Sequence, residues 1–186
     1  MLEINLKNIK EYTKMLQAGD RVLLTGDVYT ARDEAHIQLF HLLDEGKPLP
    51  FELEGAVIYY TGPTPAGKNR PVGSCGPTTS ARMDCFTPRL LDLGLAAMIG
   101  KGERSEEVCR AIEKNHAVYF CAVGGAGALM ASHVRAAEEI AFPELGCESI
   151  KRLSVERLPV TVAIDSRGEN IFTRGREKYA GGRTEL

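Results

Sequence analysis

The sequence has no Cys-x-x-Cys pair, no surplus of basic charge and no apolar run that could cross a bilayer. Its five cysteines, Cys75, Cys85, Cys109, Cys121 and Cys147, are odd in number and scattered. That is a poor disulfide framework and a poor self-contained metal or iron–sulfur site, and it points to a reducing cytoplasm. Lys+Arg number 23 against Asp+Glu 25, a net charge of -2, which argues against a nucleic-acid binder. The longest uncharged run, Ala117 to Ser132, is edged by His116 and His133 and broken by Gly124, Gly125 and Gly127. It is too short for a membrane span and reads as strand, turn and helix. Met1 to Lys10 alternates apolar and charged residues and lacks the apolar stretch of a signal peptide.

What remains is an ordinary globular composition, 44% hydrophobic and 26% charged over 186 residues. A chain of this length buries roughly 70% of its unfolded surface, enough for a core without staples. With no internal repeat and no low-complexity linker, residues 1–186 are expected to form one domain.

The apolar run Asp20–Gly26 predicts a buried strand, followed by a helix capped by Thr30, with Arg32 and Asp33 in its first turn. Gly55–Thr61 predicts a strand that enters the Gly- and Pro-rich loop Gly62–Gly76. A second helix is expected after Pro77-Thr78-Thr79, running through Met83, Phe86, Leu90 and Leu91. Ala96–Gly100 predicts a strand, Ser105 a helix cap, His116–Val123 a strand, and Leu129–Ala137 a helix. Leu158–Ile164 reads as a last central strand, turned back by Asp165–Gly168 into a hairpin with Ile171-Phe172. Residues 173–186 read as a polar, flexible tail. Strands alternating with helices predict an α/β fold containing parallel strands, with both ends richer in β structure.

Chemistry-bearing residues gather at Gly73 to Asp84. Gly73 and Gly76 allow a close backbone approach, and Thr78 and Thr79 fall where a helix start would present free N–H groups to an anion. Arg82 lies one turn beyond Thr78 and can share its pocket. A capped helix with a surface arginine explains the same pattern. Arg32 at a helix start opposes the helix dipole, so it asks for an anion or for an ion pair with Asp33 or Glu34. Lys101 stands between Gly100 and Gly102 after a buried strand, placed to reach a cleft at a strand end or to sit in a solvated turn. Three cations at such positions suit a substrate with more than one carboxylate or phosphate, which arginine binds in a bidentate manner.

Two other signals carry less weight. Gly124-Gly125-Ala126-Gly127 lacks the spacing and the acidic partner of a dinucleotide turn and reads better as close packing, although it could edge the pocket. Cys75 has no histidine near it in sequence and reads as a packed thiol. His41, His116 and His133 lack metal-ligand spacing.

In order along the chain stand Gly26-Asp27-Val28-Tyr29-Thr30-Ala31-Arg32-Asp33-Glu34-Ala35-His36, Gly62-Pro63-Thr64-Pro65, Gly76-Pro77-Thr78-Thr79 with Arg82-Met83-Asp84, and Gly100-Lys101-Gly102 with Arg104-Ser105. Gly124-Gly125, Pro143-Glu144-Leu145-Gly146 and Val155-Glu156 through Asp165 and Gly168 complete the set. This series resembles the β subunit of the iron–sulfur hydro-lyases, class I fumarate hydratase and L(+)-tartrate dehydratase, from about Gly19 to Phe172.

The resemblance implies a swivelling β/β/α domain, a mixed sheet with flanking helices. With nothing ahead of it here, the chain is expected to be a separate subunit in a hetero-oligomer with an α subunit. It also implies a [4Fe-4S] cluster ligated by that α subunit, so no metal ligand on this chain, with the fourth iron acting as a Lewis acid on substrate. Thr78 matches the threonine proposed as catalytic base. Arg32, Arg82 and Lys101 match residues that bind substrate carboxylates, and Asp33, His36, Thr79 and Asp84 would orient them from behind. The expected reaction is reversible hydration of fumarate to (S)-malate, in the cytoplasm, with no nucleic acid or membrane partner. Tartrate dehydration is the alternative, and a non-catalytic dicarboxylate- or nucleotide-binding module lies outside the class.

Overall fold

The structure, a computed structural model, describes residues 1–180. Its strands are β1 (Leu2–Asn5), β2 (Arg21–Thr30), β3 (Val57–Tyr59), β4 (Ala97–Gly100), β5 (Val118–Cys121), β6 (Val134–Ala141) and β7 (Ile150–Ile164). Between them lie α1 (Ile9–Thr13), α2 (Asp33–Asp44), α3 (Thr87–Asp92), α4 (Glu106–Lys114) and α5 (Gly127–Ser132), and α6 (Ile171–Ala180) follows β7. Strands β1 to β5 pair in chain order and in parallel. The 15-residue β7 runs antiparallel to both β2 and β5, closing β2–β3–β4–β5–β7 into a barrel-like ring. β6 adds to the free part of β7. The fold is therefore mixed α/β, a sheet with flanking helices.

Period-two alternation divides the core into two layers. Val57 and Tyr59, Ala97 and Ile99, Val118 and Phe120 point into the ring, where they meet Val22, Leu24, Leu158 and Val162. Ile58, Met98 and Tyr119 point outward beneath α2, α3 and α4, meeting Leu39, Leu90, Val108 and Ile112. Burying each large side chain contributes about 1.5–3 kcal/mol. Apolar packing closes the ring.

Several boundaries differ from the sequence reading. Thr30 caps nothing: it ends β2, fully buried, accepting the Lys151 N–H at 2.9 Å and donating to the Ser149 carbonyl at 3.2 Å. α2 starts at Asp33 with Arg32 at its cap position. After Pro77 there is no single helix but a four-residue 3-10 helix, Ser80–Met83, and then α3. Residues 134–137 extend along β7 as strand rather than helix. Beyond Gly168 the hairpin reduces to one bridge, Ile164 with Asn170. Asn170 Oδ1 then accepts the Phe172 N–H at 2.9 Å and starts α6, whose Ile171 and Phe172 pack on the outer layer. Residues 173–180 of the expected polar tail lie in α6, and 181–186 lie outside the described residues. The cap at Ser105 matches, its hydroxyl accepting the Val108 N–H at 3.3 Å.

Candidate functional site

Four loops leave the carboxyl ends of the parallel strands side by side, the edge where open α/β sheets bind ligands. Arg32 follows β2, the Gly62–Gly76 loop follows β3, Lys101 follows β4 and the Gly124–Gly127 turn follows β5. Backbone bonds tie these loops together. The Ala31 N–H donates to Tyr59, Thr78 to Tyr60, Tyr60 to Ile99, and Ala122 to Gly100. A cavity of about 590 Å³ lined by Lys10, Glu54, Leu91 and His116 is separate from this cluster.

Thr78 and Arg82 meet as their spacing predicts. An Arg82 guanidinium N–H donates to Thr78 Oγ1 at 2.5 Å, and the same nitrogen lies 3.1 Å from an Asp33 carboxylate oxygen. Arg82 can only donate, so the threonine oxygen receives positive charge and its own proton is left free to point elsewhere. Thr78 offers no free N–H at a helix start. The Thr78 N–H is spent on Tyr60 at 2.8 Å, and the helix that follows is too short to gather a dipole. Side-chain cations supply whatever positive field the site has.

Arg32 reaches Glu148 at 3.4 Å, rather than Asp33 or Glu34. Its terminal nitrogen packs against Gly62, where a Cβ would lie 2.9 Å away and push the guanidinium aside. His36 stands behind it, fully buried. Its Nδ1 lies 2.7 Å from the Arg32 carbonyl, which can only accept, so Nδ1 carries the proton. His36 Nε2 and Arg32 Nε are buried without a hydrogen-bond partner among the described residues.

Burial against Tyr60 and Phe86 lowers the His36 pKa from 6.5 to about 4. Between those values the unfolded chain binds a proton that the folded chain refuses, so stability falls as pH drops from 6.5 towards 4. Going from pH 7 to pH 5 should remove about 2 kcal/mol through this group. Urea unfolding at the two pH values measures it. His36→Asn, which keeps a donor near the Arg32 carbonyl, should show a smaller difference by that amount; an equal difference in both proteins would remove the assignment.

Lys101 enters through its backbone. Thr79, exposed, forms a parallel bridge with it, and its side chain passes near Gly124, where a Cβ would stand 3.6 Å from the lysine Cδ. The Gly124–Gly127 turn packs against the Thr78 loop as well, with the Cys75 N–H donating to Gly127 at 3.0 Å. Asp84 takes partners other than Arg82. It pairs with Arg104 at 2.6 Å and accepts the Ser105 N–H at 2.7 Å.

A family model described as the fumarase C-terminus matches residues 1–175. The chain belongs to the fumarase C-terminus family. It is 38% identical over 171 residues to the anaerobic class I fumarate hydratase of Escherichia coli K12, covering 90% of this chain and 31% of that protein. It is 38% identical over 178 residues to a Methanocaldococcus jannaschii protein provisionally named L(+)-tartrate dehydratase subunit beta, covering 92% and 91%. To the L(+)-tartrate dehydratase subunit beta of E. coli K12 it is 32% identical over 173 residues, covering 89% and 83%. The chain thus spans about a third of the class I fumarate hydratases it matches and most of the β subunits.

All five cysteines are free, and among the described residues no three His, Cys, Asp or Glu side chains stand together to hold a metal ion. The residues present do not fit a cluster site on this chain. Cys75 is fully buried, and burial raises its thiol to about 11, which suits packing rather than nucleophilic attack. Sequence reading of this fumarase C-terminus chain missed Glu148, the partner of Arg32, and the roles of Arg104, Ser80 and Tyr119 behind Lys101 and Asp84. None of these pairings has a local spacing signal, since the partners are far apart in the chain.

Proposed function

We propose that this chain is the β subunit of a hydro-lyase that, with a [4Fe-4S]-carrying α subunit, reversibly hydrates fumarate to (S)-malate. The observation that carries the reading is the Arg82–Thr78 contact at 2.5 Å, beside Arg32 and Lys101 at one sheet edge of a fumarase-family chain. Arg32, Arg82 and Lys101 bind the substrate carboxylates. In its alkoxide form Thr78 Oγ1 takes the C3 proton of malate in elimination, becoming the hydroxyl, and the hydroxyl returns that proton in hydration. Threonine is a very weak base, so its alkoxide needs the charge-assisted bond from Arg82, which Asp33 holds in place. Thr79, His36 and Asp84 keep Lys101, Arg32 and the Ser80–Met83 turn where they are. A [4Fe-4S] cluster would be held by cysteines of the α subunit in this reading and would supply Lewis-acid chemistry there.

In the same reading residues 1–186 are one domain of the swivelling β/β/α kind, which the closed sheet supports. The protein works in the cytoplasm, which its free thiols support. No helix among the described residues is long and apolar enough to cross a membrane. Tartrate dehydration is the second reading, favoured by the 91% and 83% coverage of the two tartrate-named β subunits.

The test is anaerobic co-expression with an α subunit, following fumarate absorbance and then a tartrate panel. Malate-dependent fumarate formation only by the pair is expected. Full activity of this chain alone without iron would overturn the subunit assignment. Dicarboxylate binding with no turnover by the pair would leave a binding module instead.

A further inference from the structure

The turn carrying Lys101 is held by two buried hydroxyls from elsewhere in the chain. Tyr119 Oη lies 2.9 Å from the Gly102 carbonyl and 2.9 Å from Ser80 Oγ. A carbonyl only accepts, so the single phenolic proton goes to Gly102, and the Ser80 hydroxyl must donate to Tyr119. That leaves the Ser80 oxygen to accept the Lys101 N–H at 3.1 Å, while the Ser80 N–H donates to the Lys101 carbonyl at 3.0 Å. Lys101 is therefore gripped at both backbone groups and again at the next carbonyl.

Two features hold this relay rigid. Glycine at 100 permits the close approach, since a Cβ there would lie 1.9 Å from Ser80 Oγ. The Arg104 guanidinium stacks 5.0 Å from the centre of the Tyr119 ring and fixes its plane. Burial also pushes the Tyr119 phenol well above its ordinary range, so its proton stays in place to donate.

We infer that Tyr119, acting through Ser80, is a positioning residue that sets the Gly100–Gly102 turn and hence where Lys101 enters the site. The consequence for substrate rests on reading Lys101 as a carboxylate ligand; the positioning itself does not. Tyr119→Phe keeps the ring and its Arg104 contact and removes only the hydroxyl.

In the full chain, amide hydrogen exchange at Lys101 should speed up about tenfold in Tyr119→Phe, the loss expected for one hydrogen bond, while β3 amides keep wild-type rates. Unchanged exchange at Lys101 overturns the positioning. In the α–β assembly, Tyr119→Phe should raise KM about tenfold and kcat less, and in a Lys101→Met background it should change KM less than twofold. An equal KM rise in both backgrounds means a general structural role and overturns the inference. Lys101→Met with wild-type KM instead removes the carboxylate reading of Lys101, and leaves the exchange result to stand or fall alone.

Discussion

Thr78→Ala should lower kcat of the assembled enzyme by about 10²–10⁴-fold, the usual worth of a positioned general base, and leave KM within a few-fold of wild type. The split follows from the contacts. The alanine variant loses the oxygen that would take the C3 proton, but Arg82 keeps its Asp33 partner at 3.1 Å and stays where it can meet a substrate carboxylate. Thr78→Ser keeps an oxygen at the same position and should retain most of the rate. Arg82→Ala differs in kind. It removes the donor that makes the Thr78 oxygen acidic and a cation facing the substrate, so kcat falls and KM rises together. Stopped assays across the variants, fitted separately for kcat and KM, read this directly. Wild-type turnover in Thr78→Ala would remove its role as base and, with it, the reason for the Arg82 contact.

The parts of the fold and site legible in the sequence are those carried by short-range pattern. The strands are legible because Val57–Tyr59, Ala97–Gly100 and Val118–Cys121 are uninterrupted apolar runs, as strands buried on both faces must be. A spacing of four residues brings Thr78 and Arg82 together. Parallel order followed from helices between strands. The closure of the ring was not legible, since it depends on a single 15-residue strand, β7, pairing with β2 at one end and β5 at the other. The helix expected over Leu129–Ala137 is present only as far as Ser132, because from Val134 onward pairing with β7 decides the outcome. The hairpin after Gly168 failed on Asn170, which starts a helix once its side chain takes the Phe172 N–H. Glu148 was invisible for a different reason: it meets Arg32 only because the Pro143–Glu148 segment folds back beside α2, and no spacing in the sequence encodes a contact over that distance.

The largest effect on stability is expected at Arg104, whose burial no pattern in the sequence announces. Its side chain is fully buried, bonded to Asp84 at 2.6 Å and to the Thr87 hydroxyl at 2.7 Å, between the rings of Tyr60 and Tyr119. Arg104→Met preserves much of the volume but strands the Asp84 carboxylate, itself mostly buried, with only the Ser105 N–H. Removing one partner of such a pair costs about 3–5 kcal/mol. An exposed helical pair such as Arg110–Glu106 is worth only about 0.3–0.5 kcal/mol. Set against total stabilities of about 5–15 kcal/mol, the loss should shift the urea midpoint far down. Asp84→Asn in the same chain removes the stranded charge, and the double variant should recover more than half of the loss. If the single variant costs less than about 1 kcal/mol, the pair does not hold the Ser80–Met83 turn to the sheet. The recovery in the double variant then separates the two terms: what returns is the cost of an unpaired buried charge, and what does not is the packing of the guanidinium between its two rings.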